Sequence, residues 1–169
     1  MTHRFNVKHV LTGVTLPEIR QLMTVPAFHE DVARKVPGFN LQIQVSSLVA
    51  STYQMKREVN MDVNVPDLAK KFLKDAFKLW RSEEWDIDAL TCQSHFKLNM
   101  PAEFRCKIAL AEESGRVVAN HDWEVDVHVP LVHGILARHA EGEIRRFNQI
   151  EIDIIQEEIG LKVAGLRDR

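Results

Sequence analysis

The stretch HDWEVDVHVPLVHGILARH, residues 121–139, holds four of the eight histidines of the chain. Histidines at this density suggest metal binding or proton transfer. Zinc sites usually place two ligands a few residues apart on a helix or across a tight turn, whereas these histidines follow one another at gaps of seven, five and six residues. His128 also shares strand parity with Glu124 and Asp126, which directs it to solvent. The spacing therefore favours exposed or rim histidines, and no metal or other cofactor is expected.

Polar residues that interrupt apolar strand faces are more informative. They are His9, Arg57, Arg81 and Glu83. A buried charge must be paired, hydrogen-bonded or in contact with water inside a cavity. Two interpretations stay open. In one, a bulge or strand end brings these groups to solvent, or Arg57 and Glu83 form a structural ion pair. In the other, they anchor the polar end of a ligand in an apolar pocket. The structural interpretation is favoured for Arg81 and His9. For Arg57 and Glu83, neither interpretation is favoured over the other.

Apolar side chains on the inward strand faces complete the predicted ligand-binding site. Aromatic and methionine side chains suit either a filled core or an adaptable cavity wall. The residues predicted to line it are Tyr53, Met55, Trp85, Phe96, Phe104 and Trp123, with Leu136 and Phe147 from the last helix. Cys92 and Cys106 lie on similar faces and are expected to be small core residues rather than nucleophiles. No nucleophile elbow, phosphate loop or dinucleotide fingerprint occurs in the sequence, and no catalytic residue is predicted.

The composition places the chain among ordinary globular proteins. Its 169 residues suit one domain, residues 1–169, and the formal net charge of −2 provides no bulk attraction to nucleic acid or anionic lipid. Two cysteines within alternating apolar patterns favour reduced thiols. The N-terminus lacks the apolar core of a signal peptide, and no apolar run reaches transmembrane length. The cytoplasm is the expected compartment, and nucleic acid is not an expected partner.

The periodicity of apolar residues predicts the order of the elements. Strands are predicted at 4–11, 41–45, 53–65, 77–89, 90–100, 104–111 and 116–129. Two short helices are predicted near 16–36, a short helix at 67–76, and a long amphipathic helix from about 131 to 159, which Gly160 would end. The charged residues of this last helix, Glu151 among them, are predicted to lie mostly off its apolar stripe. Short connections favour an antiparallel sheet, and the long helix needs a surface for its apolar stripe. The predicted fold is α+β, with a curved seven-stranded antiparallel sheet wrapped around the long C-terminal helix.

This order resembles the helix-grip fold of the START/Bet v 1-like (SRPBCC) superfamily. The segments that carry the resemblance are RFNVKHVLTG, LPEIRQLMTVPAFHEDVARKVPG and WEVDVHVPLVHGILARHAEGEI. A strand that ends at VPLV-x-G and leads directly into the last helix resembles the bacterial DUF2505 family. His133 stands where that family has the first of two glycines, and Gly134 matches the second. The resemblance implies a cavity between sheet and helix that holds apolar ligands.

Two functions follow as expectations. The first is binding of a lipid-like or other apolar small molecule in that cavity. The 67–76 segment, which carries Leu68 and Phe72 beside several lysines, could form a lid or touch a membrane transiently, although a strand connector packed on the core edge is the simpler interpretation. The second is a cyclase/aromatase- or hydrolase-like enzyme in the same cavity, with Arg57, Glu83 and His9 as candidates, by analogy with the fold alone. A ligand-free interaction domain is a third alternative.

Overall fold

The computed structural model describes residues 2–168. Its strands are β1 (His3–Leu11), β2 (Phe39–Val49), β3 (Thr52–Asn60), β4 (Lys78–Asp86), β5 (Thr91–Leu98), β6 (Ala102–Glu113) and β7 (Arg116–Val127). Its helices are α1 (Leu16–Met23), α2 (Pro26–Lys35), α3 (Asp67–Lys70) and α4 (His133–Arg167). The strands form one antiparallel sheet in the order β1-β7-β6-β5-β4-β3-β2, and the sheet curves around α4. The predicted helix-grip architecture is confirmed.

Local sequence explains where the elements begin and turn. Thr15 caps α1 in a reciprocal arrangement with Glu18, in which each side chain accepts a hydrogen bond from the backbone N–H of the other residue. Pro17 and Pro26 lie in the first turns of α1 and α2, where a missing N–H costs nothing. Ser114 and Gly115 both adopt positive φ in the two-residue turn between β6 and β7, as the twist of a tight hairpin requires.

Helix α4 runs past its predicted end. The sequence predicts a stop at Gly160, but the helix continues to Arg167. Ile159 and Val163 are buried in the main core, and Arg167 Nε donates a hydrogen bond to Glu18 Oε2 over 2.9 Å. These tertiary contacts outweigh the roughly 1 kcal/mol that a glycine costs inside a helix.

The segment between β3 and β4 also differs from expectation. The predicted strand 53–65 ends at Asn60, and the predicted helix 67–76 is only the single turn of α3. Residues 61–66 have no strand beside them because β4 begins only at Lys78. The turn of α3 is held by Ala69, which packs with Val129 and Leu136 in a small apolar cluster separate from the main core. This end of the sheet is therefore covered by little regular structure.

Candidate functional site

The interior between the sheet and α4 is not completely filled. An outer cavity of about 190 Å³ lies toward α3 and the first half of α4. Its apolar wall includes Phe72, Phe96, Phe104, Trp123, Leu136 and Phe147. A smaller inner cavity of about 80 Å³ lies toward α1, α2 and the second half of α4, beside Leu22, Phe28, Trp85 and Ile159. Both cavities are therefore mostly apolar spaces enclosed by the curved sheet and the long helix.

A cluster of four charged residues separates the two cavities, and we call it the ion-pair cluster: Arg57, Arg81, Glu83 and Glu151. Arg57 Nη1 donates to Glu83 Oε1 over 2.6 Å, and Arg81 Nη2 donates to Glu83 Oε2 over 3.3 Å. Arg81 Nη1 also donates to both carboxylate oxygens of Glu151, at 2.8 and 3.1 Å. The guanidinium of Arg81 lies over the ring of Phe96, 4.8 Å from its centroid. The cluster thus connects β3 and β4 to α4.

The ion pairs keep Arg81, Glu83 and Glu151 charged. Burial alone would raise the pKa of Glu83, but the positive charges of Arg81 and Arg57 outweigh burial and hold that pKa at about 2. The pKa of Glu151 is likewise lowered against the effect of burial, mainly by Arg81. For Arg81, burial opposes the charged form, but Glu151 and Glu83 raise its pKa. Neither carboxylate is therefore a proton donor at neutral pH.

His121 is a buried member of the same region. Its ring packs edge-on against His9 with 5.7 Å between the centroids, and its side chain borders both cavities. Burial lowers the pKa of His121 to about 4, so the ring is neutral near pH 7. Next to it on β7, Trp123 Nε1 donates to Asn148 Oδ1 over 3.0 Å, which links the sheet to α4 a second time.

Three buried nitrogens near the cavities have no hydrogen-bond partner among residues 2–168. They are His9 Nε2, Arg81 Nε and His121 Nδ1. Buried polar atoms normally have partners, and an exception marks strain or a site for another molecule. Arg81 belongs to the ion-pair cluster, and His121, whose ring packs on His9, borders both cavities.

The sequence comparison decides the family. Residues 9–158 match the family model described as protein of unknown function (DUF2505). The chain belongs to the DUF2505 family. No curated protein matches this DUF2505 chain in sequence.

Solved structures share the fold of this DUF2505 chain at low sequence identity. TTHA0849 from Thermus thermophilus aligns with a TM-score of 0.65 at 9% identity, over 95% of this chain and 99% of that one. The Zhui aromatase/cyclase from Streptomyces sp. R1128 aligns with a TM-score of 0.61 at 8% identity, over 96% of each chain. Ara h 8.0201 aligns with a TM-score of 0.62 at 10% identity, over 94% of this chain and 98% of that one. At these identities, the comparisons show that the fold is Bet v 1-like.

The structure separates the twelve predicted ligand-binding residues of this DUF2505 chain into three groups. Seven border the outer cavity: Arg57, Arg81, Phe96, Phe104, Trp123, Leu136 and Phe147. Glu83 and Trp85 border the inner cavity, as Arg57 and Arg81 also do. His9, Tyr53 and Met55 border neither cavity. Tyr53 is fully buried, because the ring of His29 from α2 stacks on it at 3.8 Å and Ser46 hydrogen-bonds its hydroxyl.

The structure corrects the sequence interpretation of two residues and adds a third. His121 is predicted to be an exposed or rim histidine, but only 6% of it is exposed; its parity with Trp123 and Val125 is the signal that points inward. Glu151 is predicted to lie off the apolar stripe of the last helix, yet it faces the sheet and pairs with Arg81. Asn148 is absent from the predicted site, although it lies four residues after Ile144 on the buried side of α4.

Neither cysteine has the environment of a reactive thiol. Both thiols are free and buried. Burial raises the pKa of Cys92 to about 12, and it raises the pKa of Cys106 as well. Cys106 borders the outer cavity and Cys92 does not. Between residues 2 and 168, no three His, Cys, Asp or Glu side chains are grouped to hold a metal ion, and no helix there is both long and apolar enough to cross a membrane.

Proposed function

We propose that this DUF2505 protein binds a compact apolar small molecule in the outer cavity. The observation that carries the proposal is the cavity itself: about 190 Å³ of space walled by aromatic and aliphatic side chains and bordered at one end by charged groups. Ligand sites typically combine an apolar wall with a few polar groups that fix orientation. The Bet v 1-like fold supports the same function at the level of the superfamily.

The dimensions favour a compact ligand of two or three rings over a long lipid. Pockets for drug-sized ligands usually enclose roughly 300–1,000 Å³. The outer cavity is smaller, and the ion-pair cluster separates it from the inner cavity. A long acyl chain would have to disrupt the bonds of Arg81 to Glu83 and Glu151 to extend further.

Access is proposed to run past α3. The mouth on this side is covered by one helical turn and by residues 61–66, which form no strand. Leu68 is exposed at this edge, and Lys70, Lys71 and Lys74 are exposed in the same segment, with Lys70 paired to Asp67. We include in the proposal that this edge touches a membrane transiently when it takes up an apolar ligand. Two buried free thiols support a reducing compartment, for which the cytoplasm is our proposal.

Catalysis in the same cavity is the alternative, and it has weaker support. One fold neighbour is described as an aromatase/cyclase. General acid–base catalysis works best with a group whose pKa lies near the working pH. In this chain, arginines lower the pKa of Glu83 to about 2, burial raises the pKa of Cys92 to about 12, and burial lowers the pKa of His121 to about 4. These values favour binding over proton transfer.

A titration with the neutral fluorescent probe N-phenyl-1-naphthylamine tests the proposal. The fluorescence of the probe should rise when it enters the cavity. Ala140 on α4 borders the outer cavity, and Ala140→Trp would fill that space. Ala164→Trp is the matched control, because Ala164 is exposed on the same helix. We expect Ala140→Trp to weaken probe binding about tenfold or more and Ala164→Trp to leave it unchanged.

The proposal is overturned if the wild-type protein does not bind the probe, or if both tryptophan variants bind it equally well while circular dichroism shows intact folds. Native mass spectrometry of protein purified from its own host gives an independent result. A co-purifying compound that Ala140→Trp excludes would identify the natural ligand class.

A further inference from the structure

We infer that the ligand of the outer cavity is uncharged and carries an acceptor oxygen, as in a ketone or ester, which binds to free guanidinium donors of Arg57 and Arg81. This inference rests on the proposed function and names the chemical class of its ligand. It follows from two independent features: donors without partners, and a balance of charge within the cavity walls.

Arg57 supplies most of the free donors. It is only 7% exposed and borders both cavities. Its Nη1 donates to Met55 Sδ over 2.8 Å and to Glu83 Oε1 over 2.6 Å. Its Nε and Nη2 donate to no group among residues 2–168. Because a guanidinium has five N–H donors and no acceptor, the remaining donors of Arg57 are available to an oxygen of another molecule.

Arg81 adds a further donor on the neighbouring strand. It is 8% exposed, and β3 and β4 place it directly opposite Arg57 in the antiparallel register. Both of its Nη atoms are occupied by Glu83 and Glu151, whereas its Nε has no partner among the described residues. An unsatisfied buried donor destabilises the fold, so an acceptor atom that reached this position would be favourable. At Arg81 the missing partner is an acceptor, whereas the unpartnered ring nitrogens of His9 and His121 can donate or accept according to the tautomer.

The charges of the site are already balanced. The two guanidinium groups face two carboxylates, Glu83 and Glu151, and every one of these four residues is paired. Glu143, the other acidic residue that borders the outer cavity, pairs with Arg146. A carboxylate or phosphate on the ligand would leave an uncompensated negative charge in a poorly hydrated space. A neutral carbonyl accepts the same hydrogen bonds without that cost.

A matched set of three naphthalenes tests the inference by displacement of N-phenyl-1-naphthylamine. The set is 2-acetylnaphthalene, its hydrocarbon analogue 2-isopropenylnaphthalene, in which C=CH2 replaces C=O, and the anion 2-naphthoate. We expect the ketone to bind about tenfold more tightly than the alkene, as a hydrogen bond to a charged donor implies, and the anion to bind most weakly.

Arg57→Lys is the diagnostic variant. Lysine keeps the positive charge beside Glu83 but lacks Nε and Nη2. We expect it to reduce the preference for the ketone to about twofold or less while the affinity for the alkene stays unchanged. Arg105→Lys is the control, because Arg105 pairs with Glu103 and Asp126 on the outer face of the sheet.

The outcomes distinguish the inference from the proposed function. If no naphthalene displaces the probe and the probe itself does not bind, the proposed function fails. If the alkene binds as tightly as the ketone, or naphthoate binds most tightly, the cavity is a binding site but the inference is overturned. Retention of the full ketone preference in Arg57→Lys also overturns it.

Discussion

The two ends of the interior differ in how they are closed. At the inner end, α1 and α2 insert Ile19, Leu22, Phe28 and Val32 into the main core. At the outer end, the four residues of α3 provide only Ala69 and its partly buried neighbours. The unfilled volume is therefore smaller at the inner end, about 80 Å³, than at the outer end, about 190 Å³. A curved sheet leaves space between itself and its helix at both ends. The segments that cover each end determine how much of that space is filled by core side chains.

The ion-pair cluster lies where these two regions meet, so its loss should have a large effect on stability. Arg81→Met removes the partner of Glu151, whose side chain is 23% exposed, and one of the two partners of the buried Glu83, and we expect it to lower the free energy of unfolding by about 3 kcal/mol. Urea denaturation measures this change.

The double variant Arg81→Met/Glu151→Leu restores the charge balance, because Arg57 and Glu83 stay paired. We expect it to be more stable than Arg81→Met alone by about 1 kcal/mol or more. A double variant less stable than the single one would show that the cluster does not act as a balanced unit.

Truncation of one phenylalanine at each end compares the packing directly. Phe28 is buried at the inner end, whereas Phe147 is partly buried and faces the outer cavity. We expect Phe28→Ala to cost about 3–4 kcal/mol and Phe147→Ala about 1 kcal/mol, because a side chain that faces empty space has fewer contacts to lose. Equal losses in thermal or urea unfolding would contradict the difference in packing.

The buried histidine between the two ends should make stability depend on pH. His121 is neutral in the folded state with a pKa of about 4, against 6.5 for an unperturbed histidine. Because the unfolded chain takes up the proton first, stability should fall as the pH drops from 6.5 to 4, with a slope of about 1.4 kcal/mol per pH unit from this group. The groups that face it are His9, Arg81 and Glu151.

Urea unfolding at several pH values measures this slope. His121→Phe should flatten the curve between pH 6.5 and 4, and substitution of the exposed His128 should not. An unchanged slope in His121→Phe would assign the pH dependence to other groups, such as His29, whose pKa burial also lowers.

The smallest expected effect concerns strain at the outer end. Leu131, between β7 and α4, is 97% exposed and has φ of +71°. A left-handed backbone costs roughly 1–2 kcal/mol for a residue with a Cβ, and glycine adopts it freely. We expect Leu131→Gly to stabilise the fold by about 0.5–1 kcal/mol in thermal unfolding. Destabilisation by this change would show that the freedom glycine adds to the unfolded chain outweighs the relief of backbone strain.

Sequence periodicity predicts the strands and the helix-grip order because the burial of alternate residues is a local pattern. In β1, for example, inward and outward residues alternate along the whole strand. The end of α4 is not predictable in the same way. Gly160 has the local properties of a residue that ends a helix. The contacts of Ile159, Val163 and Arg167 with distant elements stabilise the helix beyond it.

The site is predictable in part, for a similar reason. Arg57, Arg81 and Glu83 interrupt apolar strand faces, which is visible in the sequence. Their partner Glu151 lies on a helix rich in acidic residues, and only the packing of α4 on the sheet shows which of these faces inward. His121 could be assigned from its parity with Trp123. The size of the cavity depends on how completely α3 covers the sheet, which no local pattern encodes.

The unequal positions of the two buried cysteines give the protein a built-in reporter. Cys106 borders the outer cavity, whereas Cys92 lies on the adjacent strand within packed side chains. A thiol reagent can reach Cys106 through local opening of the mouth, but it reaches Cys92 only when the core itself opens. The ratio of the two alkylation rates therefore measures how often the mouth opens relative to the whole fold.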